Sequence, residues 1–273
     1  MKYNLDLESI LDEGGLRKTG IFKKTISSDK PLITVITATL NSELHLEECI
    51  QSLQNQKYKN FEHIIIDGGS TDKTLQIIKK YNSKIDYWCS VKDKGIYDAF
   101  NKGMQLANGD YLGFLNSDDI YTNNAFDLLL NYINNYPEKD FIFGAVKKHW
   151  GTLYGYKPYK IYWSWGFYSS HSTGFFIKKD SATKVGLYNL KYKYSSDYDF
   201  FYRMIVKKSM QGIGTKKNEV FGIFRRGGFS SRVDFVSHFF EEIQIRIDNQ
   251  QNKILILIIF IYKFLKNFKK IGQ

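Results

Sequence analysis

Three carboxylate-bearing stretches have the residue types and spacing to do chemistry. Asn116-Ser117-Asp118-Asp119 follows Gly109-Asp110 and an apolar run from Tyr111 to Leu115. Two adjacent carboxylates on a strand-end loop can hold a hard divalent cation through one or two protein oxygens. The ion keeps its waters and takes its remaining ligands from substrate phosphates. On the dipeptide alone, an Asp-rich turn capping the next helix is the plainer reading. Asp67-Gly68-Gly69-Ser70-Thr71-Asp72 again reads as strand, tight turn and helix start. Its glycines allow close backbone approach, and Asp67 can accept hydrogen bonds from a base or ribose. The alternative is a simple turn capped by Ser70 or Asp72. It is neither a dinucleotide-binding GxGxxG nor a Walker loop. In Ser196-Asp197-Tyr198-Asp199-Phe200-Phe201-Tyr202-Arg203, Asp197 stands just before an expected helix at Tyr198 to Lys207. It is either a general base or an N-cap facing the helix dipole. Asp199 and Arg203, at i and i+4, read as a helix-surface ion pair. His171 is a candidate metal or diphosphate ligand, with a structural role as its alternative. The other histidines show no ligand spacing, so no zinc site is expected.

The elements that must position these residues follow from periodicity. Ile33 to Thr37 is a β-branched run. Leu46, Cys49, Ile50 and Leu53 then fall on one helical face. His63 to Ile66 is a strand, and a helix from Thr71 carries Leu75, Ile78 and Tyr81. Ile85 to Trp88 is a weaker strand. Ile96 to Ala107 is helical, Tyr111 to Leu115 a strand, Ala125 to Tyr136 helical, and Phe141 to Val146 a strand. This alternation predicts an α/β domain with a mostly parallel central sheet flanked by helices. Ligands of such sheets bind beyond the carboxyl ends of the strands. The residues there are Thr39 and Asn41, Asp67, Asp93 to Gly95, and Asn116 to Asp119. His149 to Ser170, rich in Trp, Tyr and Lys, reads as a substrate-covering loop or an aromatic antiparallel addition.

At 273 residues, 43% hydrophobic and 25% charged, the chain can bury a proper core, which excludes intrinsic disorder. Two cysteines without CxxC spacing point to a reducing compartment. The stretch from Met1 to Lys30 lacks the apolar segment of a signal peptide. A net charge of +11 calls for an anionic partner: nucleic acid, a phosphate-bearing substrate or an anionic membrane face.

Four stretches together carry a specific resemblance. They are Val35 to Asn41, Ile66 to Asp72, Asp93-Lys94-Gly95-Ile96-Tyr97-Asp98-Ala99-Phe100-Asn101-Lys102-Gly103, and Gly109 to Asp119. In this order and spacing, Pro31 to Leu130 resembles the nucleotide-sugar half of the family 2 glycosyltransferases, which have the GT-A fold. The Asp-Lys-Gly-Ile-Tyr-Asp version resembles the branch that builds bacterial exopolysaccharide, capsule and lipopolysaccharide. Similarity returns at His171, at Asp197 to Arg203 and at Gly227 to Ser230.

The resemblance implies that Thr39 and Asn41 line the nucleotide and that Asp67 binds the base. It implies further donor contacts at Lys94, Asn101 and Asp118. Asp119 is then the direct ligand of Mg²⁺ or Mn²⁺, with Asp118 sharing the metal and nearer the ribose, and Asp197 is the base of an inverting transfer. Two positions depart from the family pattern. Asn116 stands where many relatives have an acid, and Phe100 stands where many have Arg. The latter leaves Lys94 and His171 to neutralise the diphosphate. The Gln-x-x-Arg-Trp motif of processive synthases is absent. The implied enzyme moves one sugar from a UDP- or GDP-type donor to a saccharide acceptor, lipid-linked, on the cytoplasmic face of the membrane. An idle partner subunit is the alternative. A nucleic-acid-binding module has only charge and aromatics behind it, so nucleic acid is not expected as a partner.

The reading divides the chain into an N-terminal extension (1–30), a catalytic domain (31–235, with halves 31–130 and 131–235) and a C-terminal helical extension (236–273). In the last, Ile254 to Tyr262 are nine uninterrupted apolar residues followed by lysines. That is far short of the ~20 residues of a spanning helix. The segment reads as an interfacial helix on an anionic leaflet or as a helix docked on the protein's own core.

Overall fold

The structure is a computed structural model describing residues 10–163, 172–225 and 234–267. Before the expected alternation begins, Ile10–Gly14 form a strand, β1. Then follow β2 (Ile33–Thr39), α1 (Leu46–Gln54), β3 (Phe61–Asp67), α2 (Thr74–Lys80), β4 (Tyr87–Val91), α3 (Ile96–Leu106) and β5 (Tyr111–Phe114). The second half holds β6 (Ile120–Tyr121), α4 (Ala125–Asn135), β7 (Phe141–Phe143), β8 (Ala145–Lys148), β9 (Gly151–Leu153), β10 (Phe175–Lys178) and α5 (Lys179–Val185). After these come α6 (Ser196–Tyr202), β11 (Gly212–Gly214), β12 (Val220–Ile223), α7 (Phe235–Asp248) and α8 (Lys253–Lys266).

The central sheet runs β1-β4-β3-β2-β5-β10-β7-β11. Its middle, β4-β3-β2-β5, is wholly parallel, as the helical crossovers dictate. The expectation of a mostly parallel sheet therefore holds at its centre, while β1 and β10 join antiparallel. Both faces of the middle strands are covered, which explains their unbroken apolar texture. Ile36, Ile64, Ile66 and Phe114 pack towards α3 and α6, and Val35 and Phe176 pack towards α1 and α4. Phe100 belongs to this core: its ring meets Phe114 edge-on at 5.1 Å.

Several boundaries differ from the periodicity, each for a local reason. Part of the stretch set apart as an N-terminal extension is the edge of the sheet. Beyond β1, Arg17 pairs with buried Glu62 and donates to the Leu106 carbonyl at 2.7 Å. The strand expected at Ile85 begins instead at Tyr87, because the Ile85 and Asp86 carbonyls accept from the Leu16 and Arg17 amides. The helix expected from Thr71 starts at Thr74, where the Asp72 carboxylate accepts from the Thr74 amide. The single strand expected over Phe141 to Val146 breaks at Gly144. A Cβ there would lie 2.1 Å from the Phe221 ring, so the backbone hugs that ring and turns away. Asp199 and Arg203 do pair, at 2.8 Å, but Asp199 is buried and also accepts from Asn249.

The break at Gly144 creates a second sheet, β6-β12-β8-β9. This small sheet matters for function. Its strands begin just after Asp119, end at Lys148 and end just before Phe224-Arg225, so it gathers three distant segments at one place.

Candidate active site

The register of the parallel strands builds the floor of the site. Thr39 pairs with Asp67, and Asp67 with Ser90, so their side chains form a row across the carboxyl rim. Asp67 is fully buried and serves its own loop. Its Oδ2 accepts from the Gly69 and Ser70 amides at 3.2 and 3.1 Å and from Ser90 Oγ at 2.6 Å. Gly68 leaves room for the Asp93 carboxylate, which would lie 2.8 Å from a Cβ. Asn41, with φ 47°, ties two loops together. Its amide donates to Ser70 Oγ at 2.8 Å, and its Oδ1 accepts from the Thr71 amide at 2.9 Å. Ser42 continues the stitching, to Thr74 through its amide and to Ser117 through its hydroxyl. The loops after β2, β3 and β5 are thus held as one rim. Within it, the buried Thr39 hydroxyl has no partner among the described residues.

The acidic pair lies at the end of β5. Asp119 is buried, with Oδ2 accepting from Thr173 Oγ1 at 2.6 Å and Oδ1 from the Arg225 amide at 3.1 Å. Burial, reinforced by the charge of Asp118, pushes its pKa up to about 7. Asp118 is half-buried, and its pKa is raised by desolvation against the pull of His45 and Arg225. Asn116 donates to Ser172 at 3.2 Å and weakly to Asp119 at 3.4 Å, whereas a carboxylate in its place would repel Asp119. Its own buried Oδ1 lacks a partner among the described residues.

These groups fit a hard cation. The Asp118 and Asp119 carboxylates, with the Asn116 amide oxygen that has no partner among the described residues, offer the oxygen ligands such an ion takes. Among the described residues no cluster of three or more His, Cys, Asp or Glu is arranged to hold a metal. An ion held by this acidic pair would take its remaining ligands from phosphates and water.

Asp197 sits in the first turn of α6, which begins at Ser196 rather than just after it. Its Oδ1 accepts from Tyr97 Oη at 3.1 Å and from the Tyr198 amide at 2.8 Å. Because Tyr97 belongs to the first turn of α3, Asp197 is fastened to the same rim. Desolvation raises its pKa to about 6. The loop that presents it is gripped by Glu241 of α7, which accepts from the Lys193, Tyr194 and Ser195 amides at 2.7–2.9 Å.

Lys148, at the end of β8, went unnoticed in the sequence. Its ammonium lies 4.1 Å from the centre of the Phe224 ring, half-buried. Desolvation lowers its pKa, while the fields of both Asp119 and Asp197 oppose that shift. Among the described residues it has no hydrogen bond or ion pair. Arg225 was missed too: its guanidinium bridges His45 and Glu48 while its amide holds Asp119. Spacing carries no trace of either residue, because β8 and β12 reach the site from far along the chain.

One expected residue is placed otherwise. Asn101 is buried and spends both ends of its amide on the Tyr188 backbone, at 2.9 and 2.8 Å, which makes it a brace rather than a donor contact. Lys94 is exposed at the rim, and its amide donates to Asp98. His171 and Gly227 to Ser230 lie outside the described residues.

The family model for glycosyl transferase family 2 matches residues 34–204, from the start of β2 through the acidic pair to the end of α6. The chain is a family 2 glycosyltransferase. A "PGL/p-HBAD biosynthesis glycosyltransferase" of Mycobacterium bovis is 28% identical over 207 residues, which cover 71% of this chain and 79% of that protein. An uncharacterized glycosyltransferase of Rickettsia typhi is 29% identical over 188 residues, 64% of this chain and 59% of its own. Among solved structures, S. aureus TarS superposes with TM-score 0.64 at 17% identity, covering 85% of this chain and 43% of that one. A mannosyltransferase from Pyrobaculum calidifontis, solved with GDP-Man and Mn²⁺, gives 0.59 at 16% identity, covering 85% and 68%. These likenesses establish the GT-A fold for this family 2 member. The family match ends before α7, whose Glu241 grips the Asp197 loop.

Proposed function

We propose that the protein is a non-processive, inverting glycosyltransferase that moves one sugar from a UDP- or GDP-type donor to a saccharide hydroxyl. The acceptor is lipid-linked, the setting is surface-polysaccharide assembly, and the place is the inner face of the cell membrane. The observation that carries this reading is the shared rim: Asp197, fastened through Tyr97, and Asp119 both act on Lys148. TarS structures bound to UDP-GlcNAc and UDP, and the GDP-Man complex, support a nucleotide-sugar donor.

In this reading Asp197 accepts the acceptor's hydroxyl proton. The freed oxygen forms a bond to the anomeric carbon opposite the diphosphate, and the carbon–diphosphate bond breaks with inversion. A carboxylate titrating near 6 is ionised at neutral pH yet basic enough for this step. Lys148 faces the leaving diphosphate, and its partial desolvation strengthens that attraction. Thr39 offers its unpartnered hydroxyl to the donor, and the braced Asp67 loop shapes the base pocket. Mg²⁺ or Mn²⁺ held by Asp119 and Asp118 supplies Lewis-acid neutralisation of the diphosphate when bound.

The test is a thermal-melting panel of UDP, GDP, CDP and dTDP, each with Mn²⁺ or EDTA, on the wild type and Asp119→Asn. A ligand at 100 times its Kd adds about 2.7 kcal/mol to the folded state. One nucleotide stabilising only with metal, and only the wild type, is expected. No stabilisation by any nucleotide with Mn²⁺ present would overturn the donor assignment.

A further inference from the structure

The outward face of α8 is apolar where an exposed terminal helix is ordinarily polar. Ile256, Ile259 and Lys263 face the protein, and Lys263 is neutralised there by Glu242, with Nζ 2.6 and 2.7 Å from its two oxygens. Ile254, Leu257, Ile258, Ile261, Tyr262 and Leu265 are all exposed, by 48 to 70%. At 3.6 residues per turn these six occupy a stripe about 140° wide. Lys253 and Lys266 border it on opposite sides, each roughly 110° from its centre. The helix, Lys-Ile-Leu-Ile-Leu-Ile-Ile-Phe-Ile-Tyr-Lys-Phe-Leu-Lys, contains no acidic residue.

That charge pattern selects the occupant. Ile254, Ile258, Ile261 and Leu265 follow a spacing on which two helices could pair. In a second copy, however, every charge that α8 itself brings beside the stripe would again be a lysine, so like would meet like along the paired helices. An anionic lipid surface brings the opposite sign to both borders and takes up the apolar centre without needing a hydrogen-bonding partner. Spanning is not an option for this helix: none of the described helices is long and apolar enough to cross a membrane.

We propose that the outward stripe of α8 is a docking surface for an anionic lipid leaflet. The helix lies in the plane of the interface, with its aliphatic side chains at the acyl boundary and Lys253 and Lys266 at the phosphates. This deepens the membrane-side placement above by naming its surface and partner, and it does not depend on the donor chemistry.

Co-sedimentation of the full chain with phosphatidylcholine vesicles, with and without phosphatidylglycerol, tests it. Binding is expected to the anionic vesicles and to fall with added salt. Changing Lys253→Gln or Lys266→Gln should weaken it roughly fivefold each, at about 1 kcal/mol per lysine. Ile261→Glu should abolish sedimentation while leaving the melting temperature and nucleotide-induced stabilisation unchanged. Should that variant melt early, the lysine pair decides the matter, since both side chains are exposed. A chain that stays in the supernatant with anionic vesicles at low salt overturns the proposal. So does equal binding to neutral vesicles that Ile261→Glu leaves intact, or a dimer in light scattering that Ile261→Glu dissolves. Vesicle failure with nucleotide binding preserved sinks the docking surface alone; the converse sinks the transferase reading alone.

Discussion

At the carboxyl rim of the parallel strands two buried oxygens have no partner among the described residues, and on the α7–α8 hairpin large aliphatic side chains lie exposed. Thr39 Oγ1 and Asn116 Oδ1 are buried and have no partner among the described residues, and desolvation raises the pKa values of Asp119 and Asp197. An unmade hydrogen bond of this kind costs about 1–3 kcal/mol. The hairpin has the opposite economy. Its buried charges are matched, with Glu242 accepting from both Arg246 and Lys263 and Arg246 reaching the Tyr162 carbonyl at 2.7 Å. Its outer surface forgoes burial that is worth about 1.5–3 kcal/mol for each large aliphatic side chain fully covered. Folding alone favours neither arrangement. The two regions differ in chemistry in the same sense as the ligands proposed for them, polar and charged at the rim, apolar with cationic borders on α8.

The contrast can be broken at its strongest points. Asp197→Asn should lower kcat by roughly 10²–10⁴-fold with the donor KM little changed, as measured by steady-state transfer. In the wild type the acid limb of kcat/KM should turn at about pH 6, where the carboxylate becomes a base. The stability effect has the reverse sign to a salt-bridged Asp. Because the folded-state pKa is raised, the protonated form is favoured in the native chain. Stability is therefore lost as pH climbs from the ordinary carboxylate range to about 6, and is flat above that. Asp197→Asn should accordingly melt no lower than wild type at pH 8, and a large drop there would mean the carboxylate is structural. On the hairpin, Glu242→Gln strands two buried cations and should destabilise by about 3–5 kcal/mol in denaturant titration. Lys148→Met should cut kcat roughly 10²-fold, in line with removing one preorganised electrostatic group, with an unchanged melting temperature. The smallest and sharpest test is Thr39→Val. Replacing an unbonded buried hydroxyl by a methyl group should raise stability by about 1 kcal/mol while weakening nucleotide-induced stabilisation. If stability fell instead, the rim would not be holding that oxygen in reserve.

How much of this was legible depended on whether a residue's role travels with its neighbours in the chain. β2, α1, β3, α3 and α4 were readable because apolar spacing reports directly which faces are covered. The strand-end loops inherited that legibility, so Thr39, Asn41, Asp67 and the Asp118–Asp119 pair fell at the predicted rim. β1 was not readable: an edge strand containing Asp12 and Glu13 has little apolar alternation and gains its partner only through β4. The division at Gly144 depends on the Phe221 ring, far away in the sequence. Lys148, Thr173 and Arg225 converge on Asp119 and its surroundings from three separate strands or turns, and no spacing rule links them. Asn101 misled for the converse reason: it lies within a motif of the rim, but the helix turns it inward to the Tyr188 backbone. For α8 the apolar run was plain, yet which of its faces would be covered depended on Glu242 drawing Lys263 inward.

Glu241 and Glu242 are consecutive residues of α7. One carboxylate holds the three amides of the loop that aims Asp197, and the next holds the lysine that seats α8. A single peptide unit therefore separates the residue that holds the Asp197 loop from the residue that seats α8, and α7 acts as a crossbar between the two. On the reading proposed above, a leaflet bound by α8 and the turn that carries Asp197 would share one helix as their common support.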